Sequence, residues 1–537
     1  MTNGVRVAVG QKTGRNHHGI PGAQPTGEMS ARVEDHTPLL MRLVLISGSG
    51  IAIFYSLGER LLKWDEAIYA EVAKEMLKHS WLTPHWNFQP WFEKPPLFMW
   101  ITALIYRLSG KSEFSARTVG ALCGVATVWL TFELGRRLMD DWSAFAAAAI
   151  LLTNGYFVYI SRFNGIDMAV TFCLTAVAYA YLRVRQGAPR WWYIAGACSG
   201  IAIMVKGAAG LLAPLALAFA LLLDRRLSDF RSPALRNSVL LGCAIAMPWH
   251  LTMLIVHGRV FLNEYLGYHV LARMSGIEGH AEPAYYYLLE YCNVFAPFAL
   301  AAILSLLLYV RRQKNSSIVV SFFLLVTVAF TFLGTKVPTY VVPAFPFISL
   351  LAAMAMRSLM NLVQYATVRV TIVIPLYLFT TLCPRAGQGF TGWNYSPTFS
   401  YDGSTTINND PLIRLAIQAR AADHDPAPEP LIICLDAARM WKQQPLFYAD
   451  RPIILSYLSV PPDWGTSSGN AYTIPYGQNR YQARYQASVP LEGVVTSRPA
   501  PIIILSSMYP RLANAGKYNF TAIAGSGPLM LGQISRQ

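Results

Sequence analysis

Long apolar runs, cut by short polar loops, fill most of the chain from about residue 41 to 384. They fall at about 41–62, 115–135, 142–160, 168–184, 191–205, 207–223, 237–256, 286–309, 317–334, 338–355 and 368–384. A helix needs roughly twenty apolar residues to cross a bilayer, so the pattern predicts about eleven transmembrane helices. One further apolar run, Leu97–Leu108, has only about twelve residues and starts just after Pro95 and Pro96, a favourable helix start. It reads as an interfacial or re-entrant helix.

The main polar interruption in the N-terminal half runs from Trp64 to Pro96, inside an outer loop of residues 63–114. It opens on Asp65 and Glu66 and closes on Glu93 and Lys94. Between them Ile68, Val72, Met76 and Leu77 share one helical stripe, with Glu71, Lys74, Glu75 and Lys78 opposite. Such a helix can lie flat on a membrane surface. The two prolines favour extended backbone just before them. That predicts that Glu93 and Lys94 point apart and serve two subsites. A long loop is expected over 257–285.

After about 385 the pattern changes. Pro, Gly, Asn and Asp punctuate short runs at Leu431–Cys434, Ile453–Leu455 and Ile502–Leu505, with a helix expected at about 436–447. Residues 385–537 therefore read as an α/β domain outside the membrane. Residues 1–40 are polar and Gly-rich without an apolar h-region, and read as a disordered cytoplasmic tail with no cleaved signal peptide.

Composition agrees with the pattern. The chain is 54% hydrophobic and 14% charged, against roughly 25% charged in soluble domains. Its net charge is +15. The basic clusters at Arg136–Arg137, Arg183–Arg190, Arg225–Arg236, Arg311–Lys314 and Arg357–Arg369 all fall on one side of the alternation, which marks that side as cytoplasmic. The first loop and the C-terminal domain then face out. Anionic lipid is the expected partner of the excess charge. Nucleic acid is not, because no basic motif interleaved with aromatics occurs. Seven cysteines show no CxxC spacing, which argues against cysteine-based zinc or redox chemistry. Cys383 and Cys434 either pair or stay as two small apolar residues.

The candidate chemistry gathers at the outer face: Asp65, Glu66, Glu93, Lys94, Arg162, Asp167, Lys206, His269, Arg273 and Lys336. Convergent polar groups beside aromatics suggest a cavity open to the outside. Capping of a helix by Asp65, and snorkelling by Lys206 and Lys336, are the structural alternatives.

Taken together, the Asp65–Glu66 pair, the FEKPP run at 92–96, Arg162–Met168, Lys206–Gly207, the GIEGH run at 276–280 and TKVPTYVVPAFP at 335–346 resemble the bacterial aminoarabinose (lipid A) transferase and protein O-mannosyltransferase superfamily. Its members are multispan type-C glycosyltransferases, and the resemblance covers about 41–355. It implies transfer of a sugar from a polyprenyl (undecaprenyl) phosphate donor to a lipid or protein acceptor outside the bacterial cytoplasmic membrane, usually with inversion. It implies catalytic roles for Asp65 and Asp167. It implies donor-phosphate contacts for Lys94 and Tyr340, and a divalent metal (zinc, or magnesium or manganese) near Glu93 and His269. By their chemistry Lys206 and Arg273 are available to stabilise the leaving phosphate. A polytopic lipid flippase is the alternative from another class. It calls for ionisable groups near the bilayer midplane, whereas here they sit at one surface.

Overall fold

The computed structural model describes residues 37–59, 62, 65–272, 282–295, 298–309, 316–362, 410–421, 429–434, 443–457, 489–514 and 516–537. Among them, six helices are long and apolar enough to cross a membrane: Thr37–Phe54, Glu113–Leu138, Ile166–Arg185, Trp191–Leu223, Pro233–Leu271 and Pro338–Ser358. Asp141–Leu152 and Gly155–Ser161, bent by 69°, make a seventh if taken as one. The chain is a polytopic helical membrane protein.

The helices run α1 (Thr37–Phe54), α2 (Asp65–Met76), α3 (Leu97–Ser109), α4 (Glu113–Leu138), α5 (Asp141–Leu152), α6 (Gly155–Ser161), α7 (Ile166–Arg185), α8 (Trp191–Lys206), α9 (Leu212–Leu223) and α10 (Pro233–Leu262). After them come α11 (Tyr286–Phe295), α12 (Phe298–Tyr309), α13 (Ser317–Thr331) and α14 (Phe345–Leu362). The stretch Trp191–Leu223 folds back on itself. Arg183 lies over the Trp191 ring at 5.0 Å, and Arg185 pairs with Asp224 at 3.1 Å. Both arginines are in the last turn of α7. So α8 leaves that end and α9 returns to it. The fold comes at Lys206–Gly207, where Gly207 has φ +56°.

The bundle therefore has two chemically distinct ends. A basic end holds Arg42, which donates to Glu133 at 2.6 Å, Arg136 on Asp141 at 2.6 Å, Arg185 on Asp224, and Arg357 on Asp140 at 3.0 Å. The loop end holds the C-termini of α1 and α8, the N-terminus of α7, and the whole of α2 and α3. α3 starts beside the loop, with Trp100 Nε1 donating to the Trp81 carbonyl, and finishes with Ser109 Oγ 3.0 Å from Ser115 Oγ. It stays at that end.

A mixed six-stranded sheet follows in the order β5-β4-β3-β6-β8-β7, formed by β3 (Leu431–Cys434), β4 (Ile453–Tyr457), β5 (Val489–Pro490), β6 (Ala500–Leu505), β7 (Tyr518–Ser526) and β8 (Leu529–Arg536). β1 (His85–Trp86) and β2 (Gln89–Pro90) form a separate hairpin. The strands from β5 to β6 are parallel, as buried apolar runs favour, and β8 and β7 close the edge antiparallel. Helices α15 (Pro411–Ala421), α16 (Gln443–Ala449), α17 (Leu491–Val494) and α18 (Tyr509–Asn514) accompany the sheet.

Several boundaries differ from the sequence reading. α1 begins at Thr37, inside the expected tail, and ends at Phe54 rather than near 62. The chain turns there through Ser56, at φ 51°. The run 142–160 is broken at Asn154, whose side chain caps α6. The run 286–309 is two helices. The expected loop 257–285 is helical as far as Ala272, because α10 continues past a break at Gly258 into a π-helix, Asn263–Ala272. The run 368–384, Cys383 and Arg273 lie outside the described residues. Cys434 is buried in β3.

The largest difference is α2. It does not lie with a polar face in water: Glu66, Glu71, Lys74 and Glu75 are all buried. Lys74 Nζ donates to the Phe447 carbonyl at 2.7 Å, and Glu75 accepts the Phe88 N–H at 2.9 Å. The polar face is covered by the β1–β2 hairpin and by α16.

Candidate functional site

Asp65 and Glu66 share a helix start and have different fates. Asp65 is the first residue of α2 and is exposed at the loop end. Glu66 is 3% exposed. Its carboxylate receives Arg117 Nε at 2.8 Å and Nη2 at 3.1 Å, and the Asn164 N–H at 2.9 Å. Asn164 Nδ2 also donates to the Glu66 carbonyl at 2.9 Å, and Arg117 Nη1 to the Leu57 carbonyl at 2.9 Å. A buried bidentate pair of this kind fixes geometry. Glu66 is thus a pin between α2, α4 and the α6–α7 turn, and it leaves Asp65 as the acid of the pair that faces outward.

Asp167 lies in the first turn of α7, and Lys206, at the end of antiparallel α8, pairs with it directly. The Lys206 ammonium also sits 4.9 Å from the centroid of the Tyr340 ring, a cation–π distance. Three residues chosen separately from the sequence are therefore one cluster.

Glu93, Lys94 and His269 form a second cluster. Glu93 Oε2 is 3.9 Å from His269 Nε2 and 4.0 Å from Lys94 Nζ. The extended backbone expected before the prolines is a bend at residues 93–94, so the two side chains stay within 4.0 Å of each other. Carboxylate plus imidazole is a suitable pair of metal donors. Among the described residues no third His, Cys, Asp or Glu joins them.

An apolar cluster of Phe92, Met204, Trp249, Phe261 and Tyr265 ties the two groups together. Phe92 precedes Glu93, Met204 lies just before Lys206, and Tyr265 is one turn from His269. A Cβ at Gly207 would collide with the Tyr265 hydroxyl, so the turn after Lys206 needs glycine for space as well as for φ.

Two other candidates take structural positions. Arg162 Nη1 donates to the carbonyls of Ala52 and Ile53 at 3.1 and 3.2 Å and so caps α1. Lys336 is 7% exposed and donates to the Leu333 carbonyl at 2.9 Å. Arg117 and Asn164 were not singled out from the sequence. A lone arginine near the start of a long apolar helix was the available signal for Arg117; Asn164 gave none.

Comparison with known proteins agrees with this picture. The family described as dolichyl-phosphate-mannose-protein mannosyltransferase matches residues 93–252. An undecaprenyl phosphate-alpha-4-amino-4-deoxy-L-arabinose arabinosyl transferase 1 of Pseudomonas fluorescens is 29% identical over 296 residues, 52% of this chain and 51% of that one. An uncharacterized protein of Aquifex aeolicus is 27% identical over 310 residues, 56% of this chain and 61% of the other. The chain thus spans about half to three-fifths of the length of these curated relatives. In fold it is similar to ArnT from Cupriavidus metallidurans bound to undecaprenyl phosphate, with TM-score 0.68, 20% identity, and 92% and 97% of the two chains covered. The archaeal oligosaccharyltransferase AglB from Archaeoglobus fulgidus aligns with TM-score 0.55 at 13% identity, over 94% of this chain and 74% of that one. The fold is that of a polytopic membrane protein built like these transferases. The chain is thus similar to members of the aminoarabinose transferase and protein O-mannosyltransferase superfamily, the same group that its motifs resemble.

Proposed function

We propose that the chain is a polyprenyl-phosphate-dependent glycosyltransferase that moves a sugar to a lipid A-like envelope acceptor at the outer face of the bacterial cytoplasmic membrane. The observation that carries this reading is the meeting, at one end of a membrane bundle, of an outward acid (Asp65), a cation–acid–tyrosine cluster (Asp167, Lys206, Tyr340) and a lysine beside a carboxylate and an imidazole (Lys94, Glu93, His269). A flippase has no use for such a set at one surface.

In the reaction the acceptor oxygen attacks the anomeric carbon as the bond to the phosphate oxygen breaks, and the electron pair leaves with the polyprenyl phosphate. Lys94, with Arg273 and Lys206, stabilises that charge before it develops, without reorganising. Where the acceptor is an alcohol, Asp65 takes its proton. Where it is a lipid phosphate, already an oxyanion, Asp65 positions an amine or a cation instead. Asp167 holds Lys206 on the donor side, and Tyr340 packs against that ammonium. Glu93 and His269 would hold a divalent ion, which when bound adds positive charge beside the phosphate.

The arrangement in the cell follows from charge. The basic end, with the tail before α1, lies in the cytoplasm, and the sheet region lies in the periplasm as a separate α/β domain. The count of eleven crossings belongs to the same reading and includes 368–384. The direct test is mass spectrometry of lipids, glycans and envelope proteins from cells with and without the gene. A sugar on lipid A that depends on the gene supports the reading. The same sugar on proteins alone replaces lipid by protein as acceptor, and no change in any fraction overturns it.

A further inference from the structure

The segment Gln443–Ile453, which comprises α16 and runs to the first residue of β4, touches the first outer loop at four separate places. The Tyr448 hydroxyl accepts the Leu62 N–H at 3.3 Å, just before Asp65, and donates to Glu113 at the start of α4 at 2.7 Å. Lys74 Nζ donates to the Phe447 carbonyl, lies 5.0 Å from the Phe447 ring centroid, and is 3.3 Å from Asp450 Oδ1. Lys78 reaches the same oxygen at 2.8 Å. At the fourth place the Asn87 carboxamide pairs with the Ile453 main chain, accepting its N–H at 2.9 Å and donating to its carbonyl at 3.2 Å.

The last contact is built like strand pairing. Among the described residues β5 pairs with β4 at Ser456 and Tyr457 and no strand pairs with β4 on that side at Ile453, where the Asn87 amide bonds the main chain as a strand residue would. Asn87 and Phe88 both hold positive φ, 53° and 62°. That conformation is costly for a bulky residue and persists only where the surroundings fix it. Here Ile453 fixes one side, and Glu75, on the Phe88 N–H, fixes the other. The hairpin leads straight into Glu93 and Lys94.

We propose that Gln443–Ile453 is the positioning element of the first loop, setting Asp65 through Tyr448 and the Glu93–Lys94 pair through Asn87. Asn87, Lys74, Tyr448 and Asp450 are positioning residues, since none belongs to the reacting set. The inference rests on the roles proposed above for Asp65, Glu93 and Lys94.

The test uses the purified full-length protein with undecaprenyl phosphate as binding probe, an undecaprenyl-phosphate sugar as donor, and hydrogen–deuterium exchange. Asn87→Gly keeps the left-handed backbone and removes the carboxamide. Asn87→Asp keeps the acceptor for the Ile453 N–H and loses the donor. Asn87→Gly is expected to raise KM for the donor about fivefold or more with kcat within about twofold, and to speed exchange across 85–94. Asn87→Asp is expected to fall between it and the parent. Asp450→Asn is expected to speed exchange across 65–78. A purely structural role would lower the yield of folded protein and leave KM and exchange unchanged, and that result overturns the proposal. Failure of the parent protein to bind undecaprenyl phosphate or transfer a sugar would instead strike the functional reading, because the exchange measurements stand without activity.

Discussion

Lys206, in the last turn of α8, pairs with Asp167, in the first turn of antiparallel α7, and covers the face of Tyr340 from the same position. The side chains are only 11% and 17% exposed, so each charge depends on the other. Removing one leaves the partner partly buried and unbalanced, and loss of a fully buried partner costs about 3–5 kcal/mol. Lys206→Met is expected to destabilise by about 1–3 kcal/mol, given the residual exposure. Adding Asp167→Asn is expected to restore most of the stability and none of the activity. Thermal unfolding and turnover of the two variants check this; stability that stays low in the double variant removes the charge-balance argument.

Asp65→Asn is expected to leave the protein folded while cutting transfer by about a hundredfold or more, the usual worth of a positioned general base. Turnover and the unfolding midpoint are measured on the same preparation. Parental turnover would reduce Asp65 to the first residue of a helix.

Glu66 is expected to behave in the opposite way. Arg117 is 1% exposed and holds the Glu66 carboxylate with two nitrogens. Arg117→Met therefore strands a buried carboxylate and is expected to destabilise by about 3–5 kcal/mol. If Arg117→Met unfolds at the parental temperature while transfer is abolished, Glu66 and Arg117 belong to the chemistry and the pin is the wrong description.

The contrast between Asp65 and Glu66 marks where the sequence stops speaking. Apolar runs announced the bundle, because burial of long segments is written locally. The one-sided arginines announced the basic end, and the short run at 97–108 announced a helix that stays at the loop end. Two adjacent acids, however, carry no sign of which turns inward; that is decided by Arg117, far along the chain. The polar face of α2 looks wet in the sequence because its cover comes from Phe447 and Asp450, more than 370 residues later. β7 is hard to see in the sequence for another reason. Its strand, YNFTAIAGS, is exposed along most of its length, so it lacks the apolar run that revealed β3, β4 and β6.

Stability is expected to fall with pH across the neutral range through Glu75. Burial, and then the neighbouring Glu71 charge, push its carboxyl up to about 9, against the opposing pull of the Phe88 N–H and Lys74. An acid raised in the folded state keeps its proton where the unfolded chain has lost it. The stabilisation is therefore complete below about 4.5 and is lost as pH rises toward 9. The limiting slope is about 1.4 kcal/mol per pH unit. Glu75→Gln is expected to flatten the unfolding midpoint between pH 5 and pH 8.5, and an unchanged slope would show that Glu75 does not set it. Asp450 acts at the other extreme. Burial would raise its carboxyl, but Lys74, Lys78 and Arg420 hold it down to about 2, so its contribution is lost only in strong acid.

The Glu93 carboxylate lies between two groups with opposed demands. His269 at 3.9 Å suits a shared cation, whereas the Lys94 ammonium at 4.0 Å repels one and attracts a phosphate. If Lys94 serves the donor phosphate and Glu93 with His269 serve a divalent ion, their substitutions affect two different observables. Lys94→Ala is expected to weaken undecaprenyl phosphate binding about tenfold, as loss of one charge-assisted contact implies. Manganese or zinc retained by the purified protein should then stay level or rise. Glu93→Gln and His269→Ala are expected to lower retained metal and leave phosphate binding within about threefold when no metal is added. Native mass spectrometry reads the lipid, and elemental analysis reads the metal. A common small loss of thermal stability, with neither lipid affinity nor metal content altered, would make the three residues a surface network and remove them from the site.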